Sequence, residues 1–300
     1  MRNLKTVNYD GMFTLSAPSP KWVWNAQGQL VEIPAGQPAF DHDPVTGEPL
    51  GQRLEGEATN VLLNSFVPAT QTVSISDATT YTLSVYGSGS AEITAGGSGT
   101  ATDGSPLTFT TTGTSVTVTV TGTLDVFQLE TGSVATSPIE TTGSAVTRSA
   151  DVATIQNVDT AEWFNADAFT LYAEVIPGDV QNLAPAVVLG ATAQDRVILF
   201  FQNGEAVAQV RGNQGITSIS PAPEVNAGDR CRFAVSYRPG TAHISFNGVT
   251  QTVVNELDET PTKVAFGSLL NGTFRTSLAL SDFRMMERAL SAAELQELTS

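Results

Sequence analysis

Acidic side chains are the most numerous groups in this sequence that could carry chemistry. The chain holds 30 Asp and Glu against 14 Lys and Arg. Hydrolysis of a glycosidic bond needs two carboxylates about 5–9.5 Å apart. The densest acidic run, ELDETP, contains Glu256, Asp258 and Glu259, but Pro261 stands where the strand pattern Glu-x-Asp-x-x-Glu needs its last carboxylate. We therefore interpret this run as a solvated loop, and hydrolysis is the least favoured function.

Histidine, nucleophile and metal chemistry have few candidate residues. His42 and His243 are the only histidines, and His243 lies out of phase with the apolar positions of TAHISF, which predicts that it faces solvent or a neighbouring subunit. The sequence has no Gly-x-Ser-x-Gly, no P-loop and no Cys/His zinc pattern. In FDHDPVTG, Asp41 and Asp43 could bind Ca²⁺ through oxygen or could close turns. Turn closure is the favoured interpretation, and no cofactor is required.

Sugar binding needs an aromatic face for the C–H groups of the sugar and polar side chains for its hydroxyls. The candidates are three aromatic and three polar residues: Trp163, Tyr172, Tyr237, Arg196, Arg211 and Asn213. Trp163 is the first choice because it falls in the polar segment DTAEWFNADAF, outside any strand alternation. The glycine-rich RGNQG (211–215) is the first choice of loop. Packing in a core or at its rim is the alternative for each candidate.

Composition and charge exclude several classes of function. Of the 300 residues, 41% are hydrophobic, which is enough for packed cores, and 15% are charged, against about 25% in a typical globular chain. The formal net charge is −16 and the isoelectric point about 4.3. Such a chain is repelled by phosphate backbones, which argues against nucleic-acid binding. It is also repelled by anionic lipids and acidic polysaccharides, unless arginines cluster locally or a cation bridges. No apolar run approaches the ~20 residues of a membrane span.

The cysteine count and the N-terminal residues bear on where the chain is assembled. Cys231 is the single cysteine, so an intrachain disulfide is excluded. It alternates with apolar residues in RCRFAVSY, which predicts a buried side chain. The first 15 residues lack an apolar run typical of a secretion signal, and we expect assembly in a reducing cytoplasm.

Strict alternation of apolar and polar residues predicts two β-sandwiches. Segments such as TVSIS, TYTLSVY and SVTVTVTG lie in the first half, and YAEV, RVILF, RFAVSY and AHISF lie in the second. A period of two with Thr or Ser between apolar residues indicates antiparallel sheets with one buried face. The predicted divisions are an arm (1–53), a first sandwich (54–140), an ordered linker (141–155) and a second sandwich (156–300).

The two ends of the chain have their own patterns. The arm, 1–53, is rich in proline, and its segment KWVWNAQGQLVEIP predicts a hairpin that carries Trp22 and Trp24. Such an arm cannot bury two large rings by itself, so we expect it to pack on a neighbouring domain or subunit. At the C-terminus, LSAAELQELTS predicts a short helix, because Ser291 and Glu294 have the spacing of a capping box.

Three segments resemble phage and prophage virion proteins of the spike and tail-fibre type. The junction FQLETGSVATSPIETTGSAVTRSADVATI (127–155) resembles the crossing in that family between a carbohydrate-binding-like β-sandwich and a concanavalin A-like domain. PAFDHDPVTGEPLGQRLEGEATNVLLNS (38–65) resembles the segment that precedes the first sandwich. LNGTFRTSLALSDFRMMERALSAAELQELT (270–299) resembles the C-terminal segment of proteins of that family. No catalytic motif of the family is available to carry over.

The resemblance implies an all-β protein with two tandem jelly-roll sandwiches, the second concanavalin A-like. It implies a non-enzymatic spike or fibre subunit of a virion, which mediates adsorption by binding host cell-surface polysaccharide. The expected partners are other head or tail proteins and copies of the chain itself, as a trimer or as a pentamer at a vertex. A decoration protein without a glycan ligand is the alternative, and a polysaccharide depolymerase is the third.

Overall fold

The computed structural model describes residues 2–3, 13–212, 215–220, 224–273 and 275–300. Strands dominate all of these ranges. Six strands begin in the arm: β1 Arg2–Asn3, β2 Phe13–Ser16, β3 Lys21–Trp24, β4 Leu30–Ile33, β5 Phe40–His42 and β6 Pro49–Leu54. Nine follow in the central part: β7 Ala58–Asn60, β8 Gln71–Ser74, β9 Thr80–Gly87, β10 Ser90–Ala95, β11 Gly99–Thr102, β12 Leu107–Thr110, β13 Ser115–Thr121, β14 Leu124–Thr131 and β15 Val146–Arg148.

The C-terminal part contains the remaining elements. Its strands are β16 Val152–Gln156, β17 Phe169–Pro177, β18 Ala184–Gly190, β19 Arg196–Gln202, β20 Glu205–Gly212, β21 Gly215–Ile219, β22 Cys231–Arg238, β23 Thr241–Phe246, β24 Val249–Val253, β25 Lys263–Phe266 and β26 Leu278–Met286. A 3₁₀ helix, Val158–Thr160, follows β16, and one α-helix, α1 Ala292–Thr299, closes the chain. The predicted all-β class with a short C-terminal helix is confirmed.

The first sandwich is built from two antiparallel sheets. Strands β11-β10-β13-β8 form one sheet and strands β12-β9-β14-β7-β15 form the other. The alternation in SVTVTVTG places Val116 and Val118 in the core with no exposed surface. Thr117, between them, points to the opposite face, where its hydroxyl lies 2.9 Å from that of Thr72 on β8. A hydroxyl ladder on one face and valine on the other is what a sheet with one buried face requires.

The second sandwich is larger. One sheet has the order β24-β23-β22-β17-β26-β6-β5, with β1 also paired to β26, and the other has the order β2-β16-β25-β18-β19-β20-β21. Four phenylalanines, Phe169, Phe201, Phe233 and Phe283, are fully buried between the sheets. Phe201 and Phe233 meet edge to face with ring centroids 5.4 Å apart, a favourable geometry for aromatic pairs.

The N-terminal arm packs on both sandwiches of its own chain. Strand β2 pairs with β16 and β6 pairs with β26, so the arm extends both sheets of the second sandwich. The predicted hairpin forms from β3 and β4. The ring centroid of Trp22 lies 4.6 Å from the ring centroid of Phe66. The ring centroid of Trp24 lies 5.7 Å from the ring centroid of Tyr86. The two tryptophans therefore bury surface against the first sandwich.

The crossing between the sandwiches is docked on either side of Pro138. Ser137, Ile139 and Thr141 are at most 8% exposed. The Ile139 carbonyl accepts from Asn60 Nδ2 at 3.0 Å, and the Thr141 hydroxyl donates to the Leu62 carbonyl at 2.6 Å. Before Pro138, the Ser137 carbonyl accepts from Gln128 Nε2 at 3.3 Å. The crossing therefore bonds to the first sandwich on both sides of Pro138 and has no free hinge there.

A buried ionic cluster joins the arm, the crossing and the start of the first sandwich. The carboxylate of Glu55 lies 3.1 Å from Arg148 Nη1 and 3.8 Å from Lys21 Nζ. It also accepts from the Ser137 amide at 2.8 Å and hydroxyl at 2.6 Å. Lys21 pairs directly with Asp151, whose carboxylate accepts from the Glu55 amide at 2.8 Å. All five side chains are nearly excluded from solvent.

These charges set the ionisation of the cluster. Burial raises the pKa of Glu55, but the neighbouring cations, Arg148 first and then Lys21, outweigh burial and lower the pKa to about 2. Burial instead raises the pKa of Asp151, against the opposing charge of Lys21. A buried carboxylate with two cations beside it stays ionised at neutral pH.

Several local predictions are confirmed. Asn203-Gly204 and Asn247-Gly248 have positive φ angles at both residues, as type I′ turns require. Ser291 and Glu294 form the predicted capping box. Cys231 is buried, and burial raises its thiol pKa to about 12. Among the described residues, no helix has the length and apolar character needed to cross a membrane.

Candidate functional site

Two arginines face each other across a hairpin of the seven-stranded sheet. Strands β19 and β20 are antiparallel, and Arg196 lies directly opposite Arg211. Their neighbours Val197 and Val210 belong to the core between the sheets. Because successive side chains of a strand point to opposite faces, both arginines lie on the face turned away from that core. We call this surface the outer face of the seven-stranded sheet.

Neither arginine of this pair has an anionic partner among the described residues. In the described part of the chain, the ion pairs involve other cations, and no carboxylate lies within pairing distance of either guanidinium. Both side chains are half-buried, and Arg196 Nε is enclosed without a hydrogen-bond partner. Burial, followed by the charge of Arg211, lowers the pKa of Arg196. Like charges directly opposite each other on a sheet destabilise it.

Amides, hydroxyls and apolar side chains surround the pair on the outer face. Gln209 on β20 donates to the Ser218 hydroxyl at 3.1 Å, and these residues are opposite each other in the β20–β21 register. Ile216 lies opposite Arg211 and is 55% exposed. On the other side, Lys263 is in the same cross-strand row, with its ammonium donating to the Leu270 carbonyl at 2.7 Å.

An apolar strip runs beside this polar row. Val188, Ile198 and Phe200 form a small cluster on the outer face, separate from the main core. Leu269 and Leu270 pack against it. The three cluster members are at most 6% exposed, so the accessible apolar group beside the arginines, among the described residues, is Ile216. The face thus combines donors for anionic or hydroxyl oxygens with one exposed apolar side chain, which is a combination that sugar rings bind.

The structure brings Arg196 and Arg211 together and separates the three aromatic candidates from them. Trp163 is 6% exposed and Tyr237 is 2% exposed, and both belong to the main core of the second sandwich. Tyr172, 4% exposed, lies in a different cluster beneath α1. None of these rings presents an open face, so packing accounts for all three. Asn213 lies outside the described residues.

Hydrogen bonds reinforce the packing of the two tyrosines. The Tyr237 hydroxyl accepts from the Leu257 amide at 2.9 Å. The Tyr172 hydroxyl donates to Glu174 at 3.3 Å, and the guanidinium of Arg284 lies 5.1 Å from the centre of its ring. Each tyrosine therefore uses its polar tip within the protein.

The register of the hairpin was the signal that could have paired the arginines from sequence. Asn203-Gly204 is the two-residue turn between β19 and β20. Arg196 stands seven residues before Asn203 and Arg211 stands seven residues after Gly204. A two-residue turn fixes the register of the hairpin, so this spacing places the two side chains opposite each other.

Asp41 and Asp43, the candidate cation ligands, serve the structure of the arm. Asp41 is buried, accepts from the Trp24 amide at 2.9 Å and pairs with Arg53. Asp43 accepts from two turn amides, those of Val45 at 2.9 Å and Thr46 at 2.7 Å. These hydrogen bonds lower the pKa of Asp43, and the one from the Thr46 amide has the larger effect. Within the described ranges, no group of three or more His, Cys, Asp or Glu could hold a metal ion.

Concave regions that contain titratable side chains lie elsewhere in the described chain. A groove of about 590 Å³ beside α1 is lined by residues that include Arg238, His243 and Arg288. His243, predicted to face solvent or a subunit, is half-buried there, with Nδ1 2.8 Å from the Thr252 hydroxyl. A cleft of about 220 Å³ between the sandwiches is lined by residues that include Glu57, Glu130 and Asp179.

Glu130 in this cleft is engaged by the first sandwich. Its Oε2 accepts from Gln128 Nε2 at 2.6 Å and from the Thr136 amide at 2.9 Å, and its Oε1 accepts from the Thr136 hydroxyl. The residue is 1% exposed, and burial raises its pKa above the usual range. A carboxyl group enclosed in this way lacks the access to substrate that an acid catalyst needs.

Comparisons with known proteins leave the family open. No family model matches the chain, and no curated protein matches it. The CBM40 of Ruminococcus gnavus IT-sialidase, solved with α2,3-sialyllactose, has 14% identity and a TM-score of 0.38, over 45% of this chain and 83% of that one. The binding domain of botulinum neurotoxin serotype G has 14% identity and a TM-score of 0.37, over 50% of this chain and 42% of that one.

A third solved structure is similar to this chain at comparably low identity. A heptameric SAP-like pentraxin from Limulus polyphemus has 15% identity and a TM-score of 0.37, over 45% of this chain and 70% of that one. The chain spans less than half of the neurotoxin binding domain. Similarity at these values carries no argument about family or function.

Proposed function

We propose that this chain binds polysaccharide without cleaving it, through the outer face of the seven-stranded sheet. The observation that carries the proposal is the facing pair Arg196 and Arg211, which has no anionic partner in the described part of the chain. Gln209 and Ser218 add hydrogen-bonding groups, and the exposed side chain of Ile216, opposite Arg211, offers apolar surface for sugar C–H groups.

The composition of the outer face supports binding over hydrolysis. The row through the arginines consists, among the described residues, of Gln156, Lys263, Gly190, Arg196, Arg211 and Ile216, and contains no carboxylate. Hydrolysis by the usual route needs two carboxylates flanking the scissile bond. A polysaccharide held on this row would therefore meet cations and apolar groups, and would not be cleaved.

We propose further that the chain is a spike or fibre subunit of a virion that mediates adsorption to host polysaccharide. The resemblance of residues 38–65, 127–155 and 270–299 to such proteins supports this role. An open sheet face forms weak individual sites, and several copies in a symmetric homo-oligomer would convert weak binding into avidity. A docked crossing suits this role, because simultaneous engagement depends on fixed geometry.

Polysaccharide binding by the full chain tests the proposed function. We expect the wild-type protein to bind members of a panel of host-surface polysaccharides, and the Arg196→Gln/Arg211→Gln double variant to lose at least tenfold in affinity. Arg238→Gln is the matched control, since Arg238 is an exposed cation on the opposite sheet of the same sandwich, and it should bind as the wild type does.

The other outcomes separate the alternatives. Absence of binding to every polysaccharide of the panel would contradict the proposal and favour a decoration protein without a ligand. A fall in polysaccharide viscosity during incubation would favour a depolymerase.

A further inference from the structure

The geometry points to the class of sugar that the outer face takes: we infer that Arg196 and Arg211 together bind the carboxylate of an acidic sugar. The inference rests on the proposed function and specifies it. It begins from a contrast within the chain. Other arginines are paired with carboxylates, namely Arg53 with Asp41, Arg148 with Glu55, Arg230 and Arg232 with Glu174, Arg284 with Asp282, and Arg288 with Glu294.

Among the described residues, Arg238 and Arg275 also lack a carboxylate partner but are exposed, whereas Arg196 and Arg211 are half-buried without one. With 30 acidic residues against 14 basic ones, a carboxylate is the most abundant partner that the chain could have supplied. The register instead opposes Arg196 with Arg211, and Ile216 and Gly190 flank the two arginines on the neighbouring strands. Two facing cations without a protein anion form a site that an external anion would complete.

The shape of the arginine side chain selects the anion. A guanidinium presents a planar fork of N–H donors that matches the two oxygens of a carboxylate. Cβ atoms of directly opposite residues on a sheet are about 4.5–5.5 Å apart, which lets both forks converge on one group. Arg196 Nε is enclosed and has no acceptor among the described residues.

Ile216 explains why the anion would be carried on a sugar ring. It lies opposite Arg211 in the β20–β21 register and is 55% exposed. A ring whose carboxylate is held between the arginines would place one of its C–H faces against this side chain. A free inorganic anion would use the arginines alone and gain nothing from Ile216.

The experiment compares each acidic sugar with its own neutral ester, which keeps the shape and removes the charge. Glucuronate, galacturonate and their methyl esters are titrated into the full chain and binding is followed by ligand-observed NMR. We expect at least one of the two acids to bind at least tenfold more tightly than its ester. Arg196→Gln and Arg211→Gln should each remove that difference, whereas Arg238→Gln should preserve it.

Two further variants and one stability readout separate a binding role from a structural one. The double variant Arg196→Lys/Arg211→Lys retains both positive charges but loses the planar forks of N–H donors. It should bind the acidic sugar at least threefold more weakly than the wild type does. Because the arginines repel each other, Arg211→Gln should leave the melting temperature unchanged or raise it. A clear fall in that temperature would mean that the pair stabilises the fold, and would contradict the inference.

The failure of this inference differs from the failure of the proposed function. Equal affinity for each acid and its ester, or binding of neither acid, would overturn the carboxylate assignment, and so would binding only to a sulfated polymer such as dextran sulfate. The proposed function would survive these results if the chain still bound a polysaccharide of the panel in a manner that required the arginines. The proposed function fails only if the chain shows no such arginine-dependent binding to any polysaccharide of the panel.

Discussion

Glu55→Gln is expected to lower the free energy of unfolding by about 3–5 kcal/mol, because it removes one member of a buried ion-pair cluster. The substitution keeps the shape of the side chain and removes its charge. Arg148, which is 2% exposed, would then keep its hydrogen bond to Ser137 but lose its counter-charge. Urea unfolding followed by tryptophan fluorescence measures the change, since Trp22 and Trp24 lie on the arm that the cluster fastens.

A matched control and a double variant sharpen this test. Glu57→Gln makes the same chemical change two residues away at an exposed position, and it should alter stability by no more than about 0.5 kcal/mol. Glu55→Gln combined with Arg148→Met removes the stranded cation as well and should recover part of the loss. A loss below about 1 kcal/mol in the single variant would show that the cluster does not hold the junction.

The same carboxylate predicts how stability responds to acid. The pKa of Glu55 is lowered from 4.5 to about 2 in the folded chain. Its contribution is therefore complete above pH 4.5 and is lost as the pH falls toward 2, and it amounts to about 3 kcal/mol. The raised pKa of Asp151 acts in the opposite direction and makes the net slope shallower. The wild type should lose more stability than Glu55→Gln across this window.

The sequence predicted the local features of the fold because they depend on neighbouring residues. Alternation at Val116 and Val118 marked a strand with one buried face, and Asn-Gly marked the turn at 203–204. Ser291 and Glu294 marked the start of α1. Each of these signals lies within a few residues of the element that it specifies, so periodicity and turn chemistry were enough.

Long-range pairing could not be predicted in the same way. Strand β2 pairs with β16, more than a hundred residues later, and β6 pairs with β26 near the other end of the chain. No local pattern identifies such partners, since any strand edge accepts the same hydrogen bonds. The sequence therefore predicted that the arm would need a surface to pack on, but not that its strands would extend both sheets of the second sandwich.

The candidate site was predicted only in part, because the type and neighbours of a residue do not determine where the fold places its side chain. Arg196 and Arg211 were named from their residue type, and the hairpin turn fixes them as a facing pair. Trp163 was favoured because the residues around it are polar, yet the segment turns its indole into the core. Polar neighbours in the sequence indicate that the backbone of a segment lies near solvent. Burial of a large ring depends instead on whether the core of the sandwich has space for it.

Trp163→Ala is expected to lower the free energy of unfolding by about 3–5 kcal/mol, the usual cost of truncating a large buried aromatic side chain. The indole is 6% exposed and belongs to the same core cluster as Val158, Ala161 and Phe169, so its removal leaves a cavity between the sheets. Urea unfolding measures the loss, and Trp163→Phe, which refills part of the space, should lose less than the alanine variant.

Binding measurements decide between packing and ligand contact at this residue. Under conditions where Trp163→Phe remains folded, its affinity for polysaccharide should equal that of the wild type, whereas Arg196→Gln should have lost its affinity while keeping its stability. The opposite pattern, with intact stability but a tenfold loss of affinity in Trp163→Phe, would place the sugar against the indole. Because Trp163 belongs to the core between the sheets and Arg196 points away from that core, one surface site cannot require both side chains.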